Sequence, residues 1–566
     1  MTSSFVALDA FCPVLCNCSV KDFIACSGTS ITDIAALSIP YNFTYVLINC
    51  TQATELTNTS FQAMPVTLRL FFEGNQFSVI ESGAFQKFPL LKSLMKLTKN
   101  AIRSLPPGIF HRLFHLEQLF LDQNALSDLD PYIFQNLTNL SDLILNRNLL
   151  RELPAGLLDH LVNLKKLNLS RNKLASLPKY IFNSLFKLKI LFLYNNCLEI
   201  LIPGMFDNLT ELEELHLYAN SIVMVDKEAF YNLPKLNLLM LHKNKINILP
   251  EGLFLHLPLL AKLTLYENPL TEFPNVLFGK MENLKDLWLY HTDLLTVPNF
   301  VFSNLTNLKL LILTQNPKLQ SLPKESFSGL SKLEELSLHS NSLKFLGEGL
   351  FQDLQHLKIL SLHNNVFEDL PENLFHPLIN LEIVYLNKSK LRNLPGTFFK
   401  TLTKLKNISL DDNPWACDCR LKDFKLWLEM NVKIVQNSMS IFCEHPSALK
   451  GKSVLHFDAP ICSYTTIAND YSYEVTTSSV LASTTQSIRG EMTLTPTKLL
   501  ADHYTHTNVS VNPSHEETTL IPLKNDLSKI ADPTTSWNNN DSSSTSSAIH
   551  MGTDHKIQRR FTYSSS

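Results

Sequence analysis

The chain of 566 residues is short of glycine, with only 15, and has no Gly-rich phosphate loop, no GxSxG nucleophile elbow and no HExxH zinc helix. Those gaps remove the commonest routes to hydrolase, metalloprotease or nucleotide-dependent chemistry, and the expectation is a protein that is not an enzyme and needs no cofactor. It has no basic excess either. Lys plus Arg number 49 against 52 Asp plus Glu, a formal net charge of -3, which argues against nucleic acid as a partner. No uninterrupted apolar run reaches the roughly 18 residues of a membrane-spanning helix. Small-molecule substrates have no obvious pocket in a chain built this way.

Leucine is plentiful and regular. Leu212, Leu215 and Leu217 followed by Asn220 write LxxLxLxxN, and the same grammar restarts at Leu236. The Asn position recurs at Asn75, Asn100, Asn124, Asn148, Asn172, Asn196, Asn220, Asn244, Asn268, Thr292, Asn316, Asn341, Asn365, Ser389 and Asn413, and Thr51 opens the series. The step is 24 residues, with two steps of 25. One turn cannot bury its own leucines, so stability must come from stacking turn on turn. The expected fold is an α/β-type leucine-rich-repeat solenoid: a curved horseshoe with a parallel β-sheet on its concave face. The Asn side chain can both donate to and accept from backbone groups at the bend, which Thr292, Ser389 and Thr51 can do only in part. Leu-Pro pairs after the ladder, such as Leu249-Pro250, favour an extended convex side. The extra residues in 91–100 and 316–322 each predict a bulge.

Eight of the ten cysteines cluster at the ends. Cys12, Cys16, Cys18 and Cys26 precede the repeats, and Cys417, Cys419, Cys443 and Cys462 follow them. This reads as two disulfide-bonded caps on an extracellular solenoid. Cys50 and Cys197 are left over and are expected to be buried free thiols. Sequons at Asn17, Asn42, Asn49, Asn58, Asn136, Asn139, Asn168, Asn208, Asn304, Asn387, Asn407, Asn508 and Asn540 point to the secretory pathway. The organisation is then a remnant or atypical signal peptide (1–11), an N-terminal cap (12–40), fifteen to sixteen repeats (41–413), a C-terminal cap (414–462) and a disordered Ser/Thr-rich stalk (463–566). In the second cap Trp415 is expected to cover the last turn, and Phe424 and Trp427 to be core.

The outward strand positions vary from turn to turn. Two residues before the ladder stand Tyr194, Tyr218, His242, Tyr266 and Tyr290, then Thr314, His339 and His363; four before it stand Phe192, His216, Met240, Thr264 and Trp288. The solenoid core does not need rings there. An exposed aromatic patch is a common anchor for a protein ligand, and Phe192, Tyr194, His216, Tyr218, His242, Tyr266, Trp288 and Tyr290 form the candidate site. The competing reading is cross-strand stacking that only stiffens the sheet. Sequons at Asn168 and Asn387 fall on either side of this stretch. A metal between His339 and His363 is disfavoured.

Three segments narrow the class. LEQLFLDQNAL (116–126), LTLYENPLTEFPNVLFGKMENLKDLWL (263–289) and CSGTSITDIAALSIPYNFTYVLI (26–48) resemble the platelet glycoprotein V family, with the regulatory subunit of carboxypeptidase N a more distant relative. The resemblance implies disulfides Cys12–Cys18, Cys16–Cys26, Cys417–Cys443 and Cys419–Cys462. It implies an adhesion-receptor subunit in hemostasis that associates with glycoprotein Ib-IX, can bind collagen and is cut by thrombin in the stalk. Arg489 precedes Gly490 in TTQSIRGEMTL and is the matching scissile position. The family ends in a membrane helix and a basic tail, whereas this sequence closes on HKIQRRFTYSSS, so the expectation is a membrane protein's extracellular part with imperfectly represented ends, or a secreted form. The alternatives are a carrier subunit that stabilises a plasma metallocarboxypeptidase, and a matrix or decoy protein.

Overall fold

The computed structural model describes residues 12–457 apart from residue 93. The segments 1–11 and 458–566, with Cys462, Arg489, Gly490, Asn508 and Asn540, lie outside the described residues. Strand Phe23–Ser27 pairs in parallel with Tyr45–Asn49, which pairs with Arg69–Glu73. Short strands continue one per turn to Asn407–Ser409 and Val435–Gln436 in one 19-stranded sheet. Strand Cys16–Asn17 alone adds to it antiparallel, at the N-terminal edge. Each three-residue strand buries its central apolar residue, Leu191, Leu215 and Leu239 for example, and turns its outer two to the other face. The convex side has no helix among the described residues; the one α-helix, Lys422–Met430, belongs to the C-terminal cap.

The Asn ladder works as a shared bridge between turns. The Asn196 amide donates to Leu169 O and Leu193 O, both at 3.0 Å, and its oxygen accepts from Leu174 N at 3.1 Å. Three backbone groups that would be buried unpaired are satisfied by one side chain. Thr292 does less: its N–H and hydroxyl both donate to Asn316 Oδ1, at 2.8 and 2.7 Å. Ser389 does least, and its hydroxyl is buried without a partner. The residue before each ladder position holds a left-handed φ, for example 54° at Ala219 and 58° at Lys243, and this bends the chain out of the strand.

Behind the leucines runs a spine of rings. Phe182, Phe206, Phe230, Phe254, Phe278 and Phe302 follow one another with centroids 5.8–6.3 Å apart. A similar column links Phe85, Phe110 and Phe134, and Leu158 takes the place between the two.

The two irregular turns do not bulge the sheet. Arg69 faces Leu94 and Leu70 faces Met95 in continuous register, while Lys92 N donates to Leu68 O. The offset passes from 24 to 25 before the strand begins, so the extra residue is taken up ahead of it. In the other turn, Leu319 N donates to Asn316 O at 3.1 Å, and a tight turn absorbs the residue. Ladder pairing tolerates no slip on a buried face, so the insertions are pushed into connections.

The caps are disulfide-bonded at Cys12–Cys18, Cys16–Cys26 and Cys417–Cys443. Cys419 is disulfide-bonded as well. Trp415 is fully buried, stacks on Phe424 at 4.9 Å and donates to Leu410 O at 3.3 Å. Trp427 lies 4.4 Å from Phe399, so the helix seals the spine. Cys50 and Cys197 are free thiols, but they are exposed rather than buried. Cys50 occupies the left-handed position before Thr51, and Cys197 follows Asn196, and both places point out of the coil.

Candidate binding face

Parallel pairing fixes the outward columns. Phe192 faces His216, His216 faces Met240, Met240 faces Thr264 and Thr264 faces Trp288 across neighbouring strands. Just past the strand ends, five rings form one continuous stack. Tyr194–Tyr218, Tyr218–His242, His242–Tyr266 and Tyr266–Tyr290 have centroids 4.5, 4.6, 4.3 and 4.3 Å apart, with interplanar angles of 6, 7, 19 and 10°. Neighbouring strands lie about 4.8 Å apart, so the sheet itself sets the stacking distance. Phe192 packs beside the stack, 4.5 Å from His216 and edge-on to Tyr194. Trp288 meets Tyr290 edge-on. Thr314 ends the run, and His339 and His363 make a separate stacked pair at 4.4 Å.

The patch is therefore less open than outward-facing rings suggest. His216 and His242 are buried, because each ring is covered by its neighbours on both sides. The other six candidate residues are half-buried. Inside the stack, what faces solvent is ring edges and polar groups; only the terminal rings, Tyr194 and Tyr290, have a face without a ring neighbour in the column.

Burial governs the titration of the stack. It pushes Tyr218 up to about 12 and raises Tyr266 and Tyr290. It also pushes His242 down to about 3, with help from the charges of Lys243 and Lys262. The His242 imidazole meets the Thr264 hydroxyl at 2.8 Å. His216 is lowered by burial in spite of its contact with Glu214 at 3.0 Å. A histidine held neutral in the folded chain but free to protonate when unfolded stabilises the fold above its unfolded value of about 6.5 and withdraws that support as pH falls toward 3. Thermal unfolding at pH 4 is expected well below that at pH 7, and His242→Gln should narrow the difference. An equal pH dependence in the variant would remove His242 as its source.

The repeat is also what comparison with known proteins finds. A family model described as leucine rich repeat matches residues 93–150, 114–174, 162–222, 210–270, 282–343 and 331–382. Over these residues the chain carries leucine-rich repeats. It is similar to platelet glycoprotein V of Mus musculus, 43% identical over 83 residues, and of Homo sapiens, 41% identical over 72 residues. The matches span 15% of this chain and of the mouse relative, and 13% of this chain and of the human one. In three dimensions this leucine-rich-repeat chain resembles the Drosophila Toll–Spatzle complex structure, with a TM-score of 0.62 at 23% identity over 74% of this chain and 60% of that one. That likeness concerns the fold alone.

On the leucine-rich-repeat sheet, the sequons are distributed unevenly. Asn49, Asn168, Asn387 and Asn407 lie on the strand face or its rim, and Asn168 is directly across from Phe192. Asn42 and Asn58 lie in turns of the first repeats. The amides of Asn136, Asn139, Asn208 and Asn304 each donate, at 2.9–3.0 Å, to a carbonyl of the preceding turn on the far side of the coil. From Phe192 to Tyr290 the face carries no sequon.

Sequence reading did not find three features here. Trp288 Nε1 is sealed from solvent and has no hydrogen-bond partner among the described residues. Lys166 holds its ammonium over the Phe192 ring at 5.7 Å. A hollow of about 440 Å³ opens beside Tyr194, lined among others by Lys96, Phe120, Asp122, Lys166 and Asn168. The column rule applied one to four turns earlier would have collected those residues, but their variety gave no pattern. A second hollow of about 500 Å³, between Arg392, Arg420 and Pro446, sits in the C-terminal cap, away from the strip. Among the described residues no group of three or more His, Cys, Asp or Glu could hold a metal.

Proposed function

We propose that this chain is an extracellular binding subunit that holds a protein partner on the aromatic strip from Phe192 to Tyr290. The observation that carries this reading is the strip itself: a five-ring stack with Phe192 and Trp288 beside it, free of sequons, on a fold whose core has no use for it. Ring edges, phenol hydroxyls and the indole suit a protein surface that mixes apolar and polar contacts. The stack makes the strip rigid, so little side-chain entropy remains to be lost on binding. Disulfide-bonded caps fit an oxidising, extracellular setting.

Similarity to platelet glycoprotein V supports a choice of partner. The reading is a receptor subunit of platelet adhesion and hemostasis that associates with glycoprotein Ib-IX, binds collagen as a second ligand and is a thrombin substrate cut at Arg489-Gly490. A Ser/Thr-rich segment without apolar periodicity suits a protease cleft better than a repeat packed into the coil. Thrombin digestion of the secreted chain, followed by mass spectrometry, is expected to give one rapid cut after Arg489. An intact stalk under conditions that cleave a control substrate would end the thrombin assignment. Co-purification separates the remaining readings, because a carrier subunit would bring down a metallocarboxypeptidase and a matrix protein would bring down neither.

A further inference from the structure

We infer that the N-glycan on Asn168 is folded into the hollow beside Tyr194, where its inner sugars cap the open end of the ring stack. Tyr218 covers one face of Tyr194 at 4.5 Å. On the turn before, the same column carries Ser170, which has no ring to cover the other face. Tyr194 lines the hollow of about 440 Å³, which runs over the strands that precede it. Asn168 is part of its lining and part of the sequon Asn168-Leu169-Ser170.

The Asn168 amide is held in a way that leaves its nitrogen available. Its oxygen accepts from Ser170 N at 3.0 Å and from the Ser170 hydroxyl at 2.7 Å. Attachment joins Nδ2 to the anomeric carbon of an oligosaccharide carried on a lipid diphosphate. Nδ2 gives up one of its two hydrogens, and the diphosphate leaves with the electron pair of the broken C–O bond. The oxygen contacts are untouched by this exchange. At Asn208 and Asn304, by contrast, the amides donate to backbone carbonyls on the far side of the coil, and both residues are exposed.

The walls match a pyranose. One face of an N-acetylglucosamine ring is a sheet of C–H groups that packs on aromatic faces and edges, here Tyr194 and Phe192 for the first sugar. Its hydroxyls and acetamide need donors and acceptors. Lys96 and Lys166, which hover over ring faces at 5.2 and 5.7 Å, supply donors, and Asp122 supplies an acceptor. Because the sugar is tethered to the lining, its effective concentration is high and weak contacts suffice. The inference does not depend on the strip having a protein partner.

The test is release of glycans from the native secreted chain by peptide N-glycosidase F, followed site by site by mass spectrometry. Asn168 is expected to be occupied and to be released at least about tenfold more slowly than Asn208 and Asn304, the factor for a contact worth about 1.4 kcal/mol. Tyr194→Ala should bring Asn168 to the rate of Asn208, while the Asn208 rate stays unchanged and reports an intact fold. Tyr194→Phe, which keeps the ring, should keep the protection. If Tyr194→Ala is not secreted, Phe192→Leu gives the same reading with less disturbance. An empty Asn168, a wild-type rate equal to that of Asn208, or protection that survives removal of the rings would overturn the proposal.

Discussion

Phe230→Ala is expected to lower the free energy of unfolding by about 3–5 kcal/mol, the range for deleting a buried aromatic side chain. Phe230 is fully buried and stands between Phe206 and Phe254, with centroids 6.3 Å away on either side. A solenoid is held together turn by turn, so a cavity at one turn weakens two interfaces at once. The consequence is more than a lower midpoint. The urea transition should split, with the repeats on either side of residue 230 exchanging their amide hydrogens at different denaturant concentrations. Phe230→Leu is the control. The chain already uses Leu158 at the equivalent place in the spine, and a substitution close in volume should cost under about 1.5 kcal/mol. If Phe230→Ala unfolds in one transition at the wild-type midpoint, the ring spine is not what couples the turns.

The same spine shows what could be read beforehand. Phe230 and its equivalents recur at the 24-residue step, as the ladder residues do, so the period, the sheet and the buried leucines were all legible. The role of Asn220 was legible too, because an amide brings two N–H donors and an acceptor to one bend where a hydroxyl brings a single donor, and its donations to Leu193 O and Leu217 O at 3.0 Å are of that kind. Cys50 and Cys197 were misjudged because a position next to a ladder residue does not say which way the bend turns it. The left-handed φ of 54° at Cys50 decides that, and a non-glycine residue gives no warning of it. The insertions near residues 93 and 317 were legible as insertions but not as to place. A strand with a buried face resists a bulge more than a connection resists a longer turn. At the site, the columns told which residues would be neighbours. They did not tell that Tyr218 and Tyr266 would close over His242, because that depends on rings matching the strand spacing to a few tenths of an ångström.

Tyr266→Ala combined with Trp288→Ala is expected to weaken binding to the glycoprotein Ib-IX ectodomain by roughly two to three powers of ten, since central aromatic anchors are each worth about 2 kcal/mol or more. The two residues act differently. Trp288 pays for a buried N–H with no acceptor in the free chain, a cost of about 1–3 kcal/mol that a binding partner can relieve if it lets the indole turn. Tyr266 lies between His242 and Tyr290 at 4.3 Å on both sides, so its loss opens the stack and releases the rings that a partner would meet. That makes a stability control necessary. Tyr266→Phe keeps the stack and removes only the hydroxyl, so a loss of affinity there, with unchanged thermal unfolding, would assign the contact to the exposed phenol edge. A double variant that binds as tightly as wild type while melting lower would mean that the rings serve the sheet alone, and that the partner must be sought on a face where no ring is stacked.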